Sequence, residues 1–111
     1  MKNACSRAIS PSTVPAVSLL TVWDVDEDPS YDVHKTPEPA DCLIAIRTLR
    51  GTGRIWLTQD AELSLEPGTL ILVDRNRIQR YRCDGPRWRF WWFEFNATGN
   101  LHLPLATVLT V

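Results

Sequence analysis

Residues 87–95 read RWRFWWFEF, which places six aromatic side chains within nine positions. The stretch holds no glycine or proline, and aromatic residues favour strands, so it predicts a β-strand. Successive side chains of a strand point to opposite faces. The strand would carry two aromatic triplets, Trp88, Phe90 and Trp92 on one face and Trp91, Phe93 and Phe95 on the other. Both faces then need cover, which a central core strand or the wall of a ligand pocket would satisfy.

The composition fits one soluble globular domain. The 111 residues are 44% apolar and 23% charged, and the net charge of −1 favours neither nucleic acid nor membrane as a partner. The three cysteines are odd in number and widely spaced, which argues against a disulfide framework or a zinc knuckle. No secretion signal and no apolar run of about 20 residues is present, so the sequence predicts a cytoplasmic protein.

Short β-rich segments separated by turn residues follow one another along the chain. Strands are predicted at residues 17–23, 31–35, 42–49, 54–58, 62–65, 70–74, 78–83 and 87–95. An acidic loop is predicted at 24–32, a glycine bend at 50–53 and a turn at 84–86, and residues 1–16 are predicted to form a flexible arm. Since no stretch shows helical periodicity, the pattern predicts an all-β sandwich or barrel.

The sequence shows no constellation typical of catalysis or metal binding. It has no G-x-S-x-G motif and no phosphate-binding glycine loop, and its two histidines, His34 and His102, lie far apart. Arginines interleave with aromatics between residues 75 and 89, as in single-strand nucleic-acid binders. Alternation, however, places Arg80 and Arg82 on one face of their strand and Tyr81 on the other. This favours a solvated outer face that carries the arginines and an aromatic inner face.

Four motifs in order resemble the N-terminal sensor domain of AraC-family transcription regulators. They are RGTG at 50–53, EPGTLILV at 66–73, IQRY at 78–81 and WRFWWFEF at 88–95, and the resemblance covers residues 31–97. It implies a cupin-like (jelly-roll) β-barrel of seven to eight short strands at 17–98, preceded by the arm. Residues 99–111 would begin a linker and dimerisation segment. DNA binding would then belong to a C-terminal domain with helix-turn-helix motifs that this chain does not contain.

The resemblance also implies an inward-facing pocket for a small effector, without a metal or cofactor. Gln79 stands where the family usually has a histidine, which argues against a metal-dependent cupin enzyme. Aromatic rings of the pocket could stack on a sugar or an aromatic compound, and its polar groups could form hydrogen bonds to it. The residues expected to bind the effector are Tyr81, Phe90, Trp92, Trp88, Gln79, Thr48, Ile44 and Ile46.

Two other functions remain open at this stage. The domain could be an interaction or dimerisation module whose core is filled by its own side chains, or a metal-independent cupin enzyme. A cavity of a few hundred Å³ would favour the sensor, whereas a filled barrel would favour the module. The second aromatic triplet, which contains Trp91, is expected to pack outside the barrel, against residues 101–111 or absent helices. Left uncovered, it would promote self-association.

Overall fold

The computed structural model describes residues 3–4, 16–35, 42–59, 61–98 and 103–111. The rest of the predicted arm and linker, with His102, lies outside these ranges. The described residues form eight strands and one 3-10 helix, so the all-β prediction is confirmed. No helix among them is long and apolar enough to cross a membrane. The elements are β1 (Asn3–Ala4), β2 (Ala16–Glu27), β3 (Asp32–His34), β4 (Leu43–Leu57), β5 (Ala61–Leu65), β6 (Thr69–Asp74), the helix (Arg75–Arg77), β7 (Ile78–Thr98) and β8 (Val108–Thr110).

Two long strands, β4 and β7, bend and so divide one antiparallel sheet into two parts. The 21 residues of β7 would span about 70 Å if straight, yet the longest extent of the molecule is 45 Å. Between the Gly51–Trp88 and Gly53–Cys83 pairs, residues 84–87 of β7 lie opposite Thr52 alone, and β7 bends there. All eight strands are hydrogen-bonded into one sheet with the order β1-β2-β7-β4-β6-β8, in which β3 also pairs with β7 and β5 with β4. We call the part of it with β1, β2, β6 and β8 the first sheet, and the part beyond the bends, β3-β7-β4-β5, the second sheet.

Two glycines allow the bent strands to approach closely. Gly51 has a φ of +69°, which favours glycine, and a Cβ there would overlap the carbonyl of Arg87. A Cβ on Gly53 would overlap the buried indole ring of Trp88. The predicted bend at 50–53 and turn at 84–86 are therefore real irregularities, but they are bulges within continuous strands rather than strand ends.

The acidic run is partly a strand, which corrects the predicted loop at 24–32, because β2 continues to Glu27. Asp24 and Asp26 continue β2 and lie opposite Trp91 and Arg89 of β7. Asp24 accepts a hydrogen bond from Arg89 at 3.2 Å, and Asp26 pairs with Arg87. Oppositely charged cross-strand pairs stabilise a sheet, so charges that suggest a loop in the sequence support strand pairing in the fold.

The inward faces of the two sheets enclose one hydrophobic core. Trp88 and Phe90 are completely buried, with their ring centroids 3.9 Å apart. The indole Nε1 of Trp88 donates to the hydroxyl of Thr48 at 3.2 Å, so each of these two buried polar groups has a hydrogen-bond partner. The other buried members come from both sheets: Val25, Cys42, Ile44, Ile46, Ile55, Leu57, Leu65, Ile71, Val73, Ile78, Tyr81, Cys83 and Trp92.

The opposite face of the first sheet is largely apolar, with Arg47 on it between Trp91 and Leu70. Val22, Phe93, Ala45 and Leu72 lie side by side across four strands. We call this surface the outer apolar face; it comprises Val22, Leu43, Ala45, Leu70, Leu72, Trp91, Phe93 and Phe95. Trp91 is 41% exposed, whereas Phe95 is 7% exposed. Strand β8 pairs with β6 at the edge of the sheet.

Candidate ligand site

A cleft of about 240 Å³ opens between β2, β3 and the inward face of β7. Its lining contains five aromatic rings, one aliphatic side chain and two charged groups. We call it the aromatic cleft, and its lining residues are Trp23, Val25, Tyr31, Lys35, Tyr81, Phe90, Trp92 and Glu94. An apolar concave site with few polar groups is typical of small-molecule binding.

The pairing of β2 with β7 builds one wall of the cleft. Trp23 lies directly opposite Trp92, and Val25 lies opposite Phe90. Residues two apart in a strand share a face, and residues opposite each other in an antiparallel pair are in contact range. All four side chains therefore point to the same side of the sheet.

The pairing of β3 with β7 supplies the other wall. Val33 lies opposite Tyr81, and Tyr31 and Lys35 flank Val33 at the spacing of two that places them on its face. The amide of Cys83 donates to the carbonyl of Tyr31 at 3.0 Å, and the amide of Lys35 donates to the carbonyl of Gln79 at 2.8 Å. These bonds hold both ends of the short strand against β7.

The aromatic rings of the cleft contact one another. The centroids of Tyr81 and Trp92 are 5.0 Å apart, and the ring of Tyr31 lies 6.0 Å from Tyr81 and 6.3 Å from Phe90. Burial raises the pKa of the Tyr31 hydroxyl strongly, with further contributions from Tyr81, and burial also raises the pKa of Tyr81. Both hydroxyls are therefore neutral at physiological pH and can donate or accept hydrogen bonds.

The two charged groups of the cleft are in different situations. Glu94 accepts hydrogen bonds from Nη1 of Arg75 and from Nε1 of Trp92, both at 3.4 Å, so its charge is balanced. The ammonium of Lys35 lies 5.6 Å from the centroid of the Trp92 ring. Within the described ranges no carboxylate pairs with Lys35. Among the described residues, the ammonium of Lys35 thus has no carboxylate partner and leaves a positive charge beside the aromatic wall of the cleft.

Three of the eight expected ligand residues line the cleft, namely Tyr81, Phe90 and Trp92. Four others lie in the core and are no more than 1% exposed: Trp88, Thr48, Ile44 and Ile46. In the register, Thr48 lies opposite Phe90, and Ile46 lies opposite Trp92. They share the inward face as expected, but they pack beside the wall rather than line the cleft.

Gln79 faces outward, which corrects its expected position. Ile78 pairs with Leu57 and Arg80 pairs with Trp56, so Gln79 is the extra residue of a bulge and has no partner on β4. Its side chain is exposed, while Ile78 is 2% exposed and takes the inward position. Simple alternation back from Tyr81 fails here because the bulge shifts the phase by one residue.

Five lining residues were not expected from the sequence: Trp23, Val25, Tyr31, Lys35 and Glu94. The alternation of Trp23 and Val25 was a usable signal, but it was hidden because the acidic run suggested a loop from residue 24. For Glu94, the alternation that selects Phe90 and Trp92 also selects this residue, two positions further along. The two residues next to β3 give no local sign of which strand they face.

Metal binding has no evident place in the described ranges, where no three histidine, cysteine or acidic side chains converge. His34 is exposed, and its Nε2 lies 3.5 Å from a carboxylate oxygen of Asp32.

No family model matches the chain. A relative in Escherichia coli strain K12, the uncharacterized HTH-type transcriptional regulator YidL, is 29% identical over 95 residues. The match covers 81% of this chain but 32% of the relative. The chain therefore spans about a third of the length of the curated relative that it matches.

Solved structures share the fold at low sequence identity. The protein YhaK from Escherichia coli superimposes with a TM-score of 0.75 at 12% identity, covering 99% of this chain and 50% of that one. The Cupin_2 domain of an XRE family transcriptional regulator from Enterobacter cloacae gives 0.58 at 13% identity, covering 74% and 95%. An HTH_3 family transcriptional regulator from Vibrio cholerae gives 0.59 at 10%, covering 70% and 49%. The chain is a cupin-like β-domain, similar in sequence to part of an HTH-type transcriptional regulator.

Proposed function

We propose that this chain is the effector-sensing and dimerisation domain of an AraC-type transcription regulator. DNA would be bound by a C-terminal helix-turn-helix domain outside these residues, and the protein would act in the cytoplasm as a binding rather than a catalytic component. The similarity to YidL supports a role in a regulator. The order of motifs from Arg50 to Phe95 supports the AraC type.

The observation that carries the sensing role is the aromatic cleft. Elsewhere the core is closely packed, with residues such as Trp88 and Ile44 completely buried, whereas about 240 Å³ remains open beside Trp92. A module whose barrel is filled by its own side chains would not need an open concave site lined by aromatic rings, which is the usual form of a small-molecule site. A ligand in the cleft would bury these rings, which supports the sensor over the filled module.

A route from the cleft to the rest of a regulator is available through the N-terminal residues. Asn3 and Ala4 pair with Trp23 and Val22 of β2, and Trp23 lines the cleft. We propose that an occupied cleft favours this position of the arm and so alters the arm's contacts with the DNA-binding domain. Such a switch requires a difference in ligand affinity between two arm positions, typically ~1–3 kcal/mol of coupling.

The proposal is tested by screening sugars and aromatic acids by thermal shift, followed by calorimetry on each hit. Trp92→Ala should weaken a confirmed ligand on the order of tenfold, because a stacking ring and its buried area are lost. Trp91→Ala is the matched control, since Trp91 is the next residue on the same strand but faces away from the cleft. If Trp92→Ala bound the ligand with full affinity, the aromatic cleft would not be the binding site.

The dimerisation role is supported by the outer apolar face. Its central row crosses four strands, and Trp91 at its border is 41% exposed. Ala45 and Phe95 of this face are buried, whereas Trp91 presents its ring to solvent, and an apolar surface that is partly exposed is typical of interfaces. We propose that the isolated chain self-associates through this face.

A further inference from the structure

We infer that the aromatic cleft binds a single-ring aromatic carboxylate, whose ring lies among the aromatic side chains and whose carboxylate pairs with Lys35. This inference rests on the sensing function proposed above and narrows the effector from a sugar or aromatic compound to one chemical class. Three properties of the cleft carry it: its volume, its lining and its uncompensated charge.

The volume of the cleft sets the size of the ligand. An engineered apolar cavity of about 150 Å³ holds one benzene molecule. The 240 Å³ of the aromatic cleft therefore accommodates one ring with one or two small substituents. A fused two-ring system would have to extend into solvent.

The lining favours a flat apolar ring over a sugar. Six of the eight lining residues present rings or aliphatic carbons, and the carboxylate of Glu94 is already engaged by Arg75. The hydroxyls of Tyr31 and Tyr81 are hydrogen-bonded to each other, which leaves the ammonium of Lys35 as the main polar partner for a ligand. A sugar of this size carries hydroxyls around its whole rim, and those left unpaired inside the cleft would oppose binding.

The charge favours an anion over a cation. Aromatic cages also bind cations through the ring faces, but here the ammonium of Lys35 already occupies that position at Trp92, 5.6 Å from its centroid. A cationic ligand would meet an unpaired positive charge, whereas a carboxylate would neutralise it. Repulsion from Glu94 is reduced because Arg75 lies 3.4 Å from its carboxylate.

Calorimetry with four probes tests the inference on the full 111-residue chain. Benzoate supplies ring and charge, benzamide the ring without the charge, cyclohexanecarboxylate the charge without the aromatic ring, and benzylammonium the opposite charge. Benzoate should bind most tightly, with benzamide weaker on the order of tenfold, as expected for a hydrogen-bonded ion pair.

Substitution of Lys35 separates charge from shape. Lys35→Gln should remove the preference for benzoate over benzamide without weakening benzamide, and Lys35→Arg should retain it. Arg50→Gln is the control, because it removes one exposed positive charge that does not line the cleft. It should leave all four affinities unchanged.

The possible failures distinguish the inference from the function beneath it. Equal affinity for benzamide and benzoate, or unchanged benzoate binding in Lys35→Gln, would contradict the inferred pairing of a ligand carboxylate with Lys35. So would a sugar that binds in a Trp92-dependent manner while benzoate does not. In these cases the sensing function stands. If no ring compound or sugar binds at all, both the inference and the sensing role are wrong.

Discussion

Gly53 decides whether Trp88 can be buried. Because a Cβ at this position would overlap the indole ring, Gly53→Ala must displace the ring or the strand. We expect a loss of about 1–3 kcal/mol in the free energy of unfolding, the usual cost of overpacking a well-packed core. Urea denaturation followed by tryptophan fluorescence measures it.

Gly85→Ala provides the control for this change. A Cβ at Gly85 would have no neighbour within 4 Å, so its effect should stay within about 0.5 kcal/mol. If the two substitutions cost the same, the contact between Gly53 and Trp88 does not limit stability.

At the residue scale, the part of the site on β7 follows from the sequence. Phe90 and Trp92 belong to one uninterrupted stretch, and alternation alone assigns them to the same face. Gln79 could not be placed in this way, because a bulge depends on the partner strand and leaves no mark in the local sequence. Lys35 was missed for a similar reason: its role depends on the packing of β3 against β7.

At the scale of the elements, ion pairs outside the core join β3 to β7 and β4 to β7. Arg80 donates to both carboxylate oxygens of Asp32 at 2.8 and 2.7 Å, and Arg54 of β4 donates to Asp84 at 2.8 Å. Hydrogen bonds from Arg80 and Arg54 hold the pKa of Asp32 and of Asp84 below the usual 3.8. Each lowered pKa makes the folded state bind protons less readily than the unfolded chain.

We expect the free energy of unfolding to decrease in acid. The stabilisation from Asp32 and Asp84 is fully present above about pH 4 and is lost as the pH falls through their folded pKa values. Arg54→Gln should raise the pKa of Asp84, observed by carboxyl ¹³C NMR titration, while Asp32 titrates as before and serves as an internal control. An unchanged pKa of Asp84 in Arg54→Gln would mean that Arg54 does not lower that pKa.

Element boundaries were predicted less well than element types. All eight predicted strands fall within observed strands or overlap them, because β-branched and aromatic residues mark them. The sequence did not predict that β4 and β7 are each one continuous strand, because the glycine-rich 50–53 and the Asp-Gly-Pro at 84–86 are typical of turns. In the fold these residues bend two strands together, which only their mutual pairing reveals.

For the whole molecule, the outer apolar face governs the association state. We expect the chain to form dimers or larger species as its concentration rises, measured by light scattering. Trp91→Glu should shift it towards the monomer, because a carboxylate would have to be desolvated at the contact. Arg50→Glu changes a residue outside this face, introduces the same carboxylate and should leave association unchanged. A chain that stays monomeric at high concentration would contradict this proposal.

The cupin-like architecture was predictable from the order of motifs, whereas the cleft was only partly so. The motifs follow one another along the chain, and their order predicted a cupin-like barrel at residues 17–98, a fold that the solved structures share. The cleft depends on contacts between β2, β3 and β7, whose paired residues lie between 46 (His34 and Arg80) and 82 (Ala16 and Thr98) positions apart in sequence. No local pattern fixes such neighbours.

The two walls of the cleft differ in how readily they can separate from the fold. Strand β7 is hydrogen-bonded on both sides over most of its length, so freeing it means unfolding the domain. Strand β3 has three residues and, in the described part of the chain, pairs only with β7. Local opening follows the number of bonds that must break. Phe90 and Trp92 therefore lie on the wall that opens only when the domain unfolds, while Tyr31 and Lys35 lie on the wall that fewer strand hydrogen bonds hold in place.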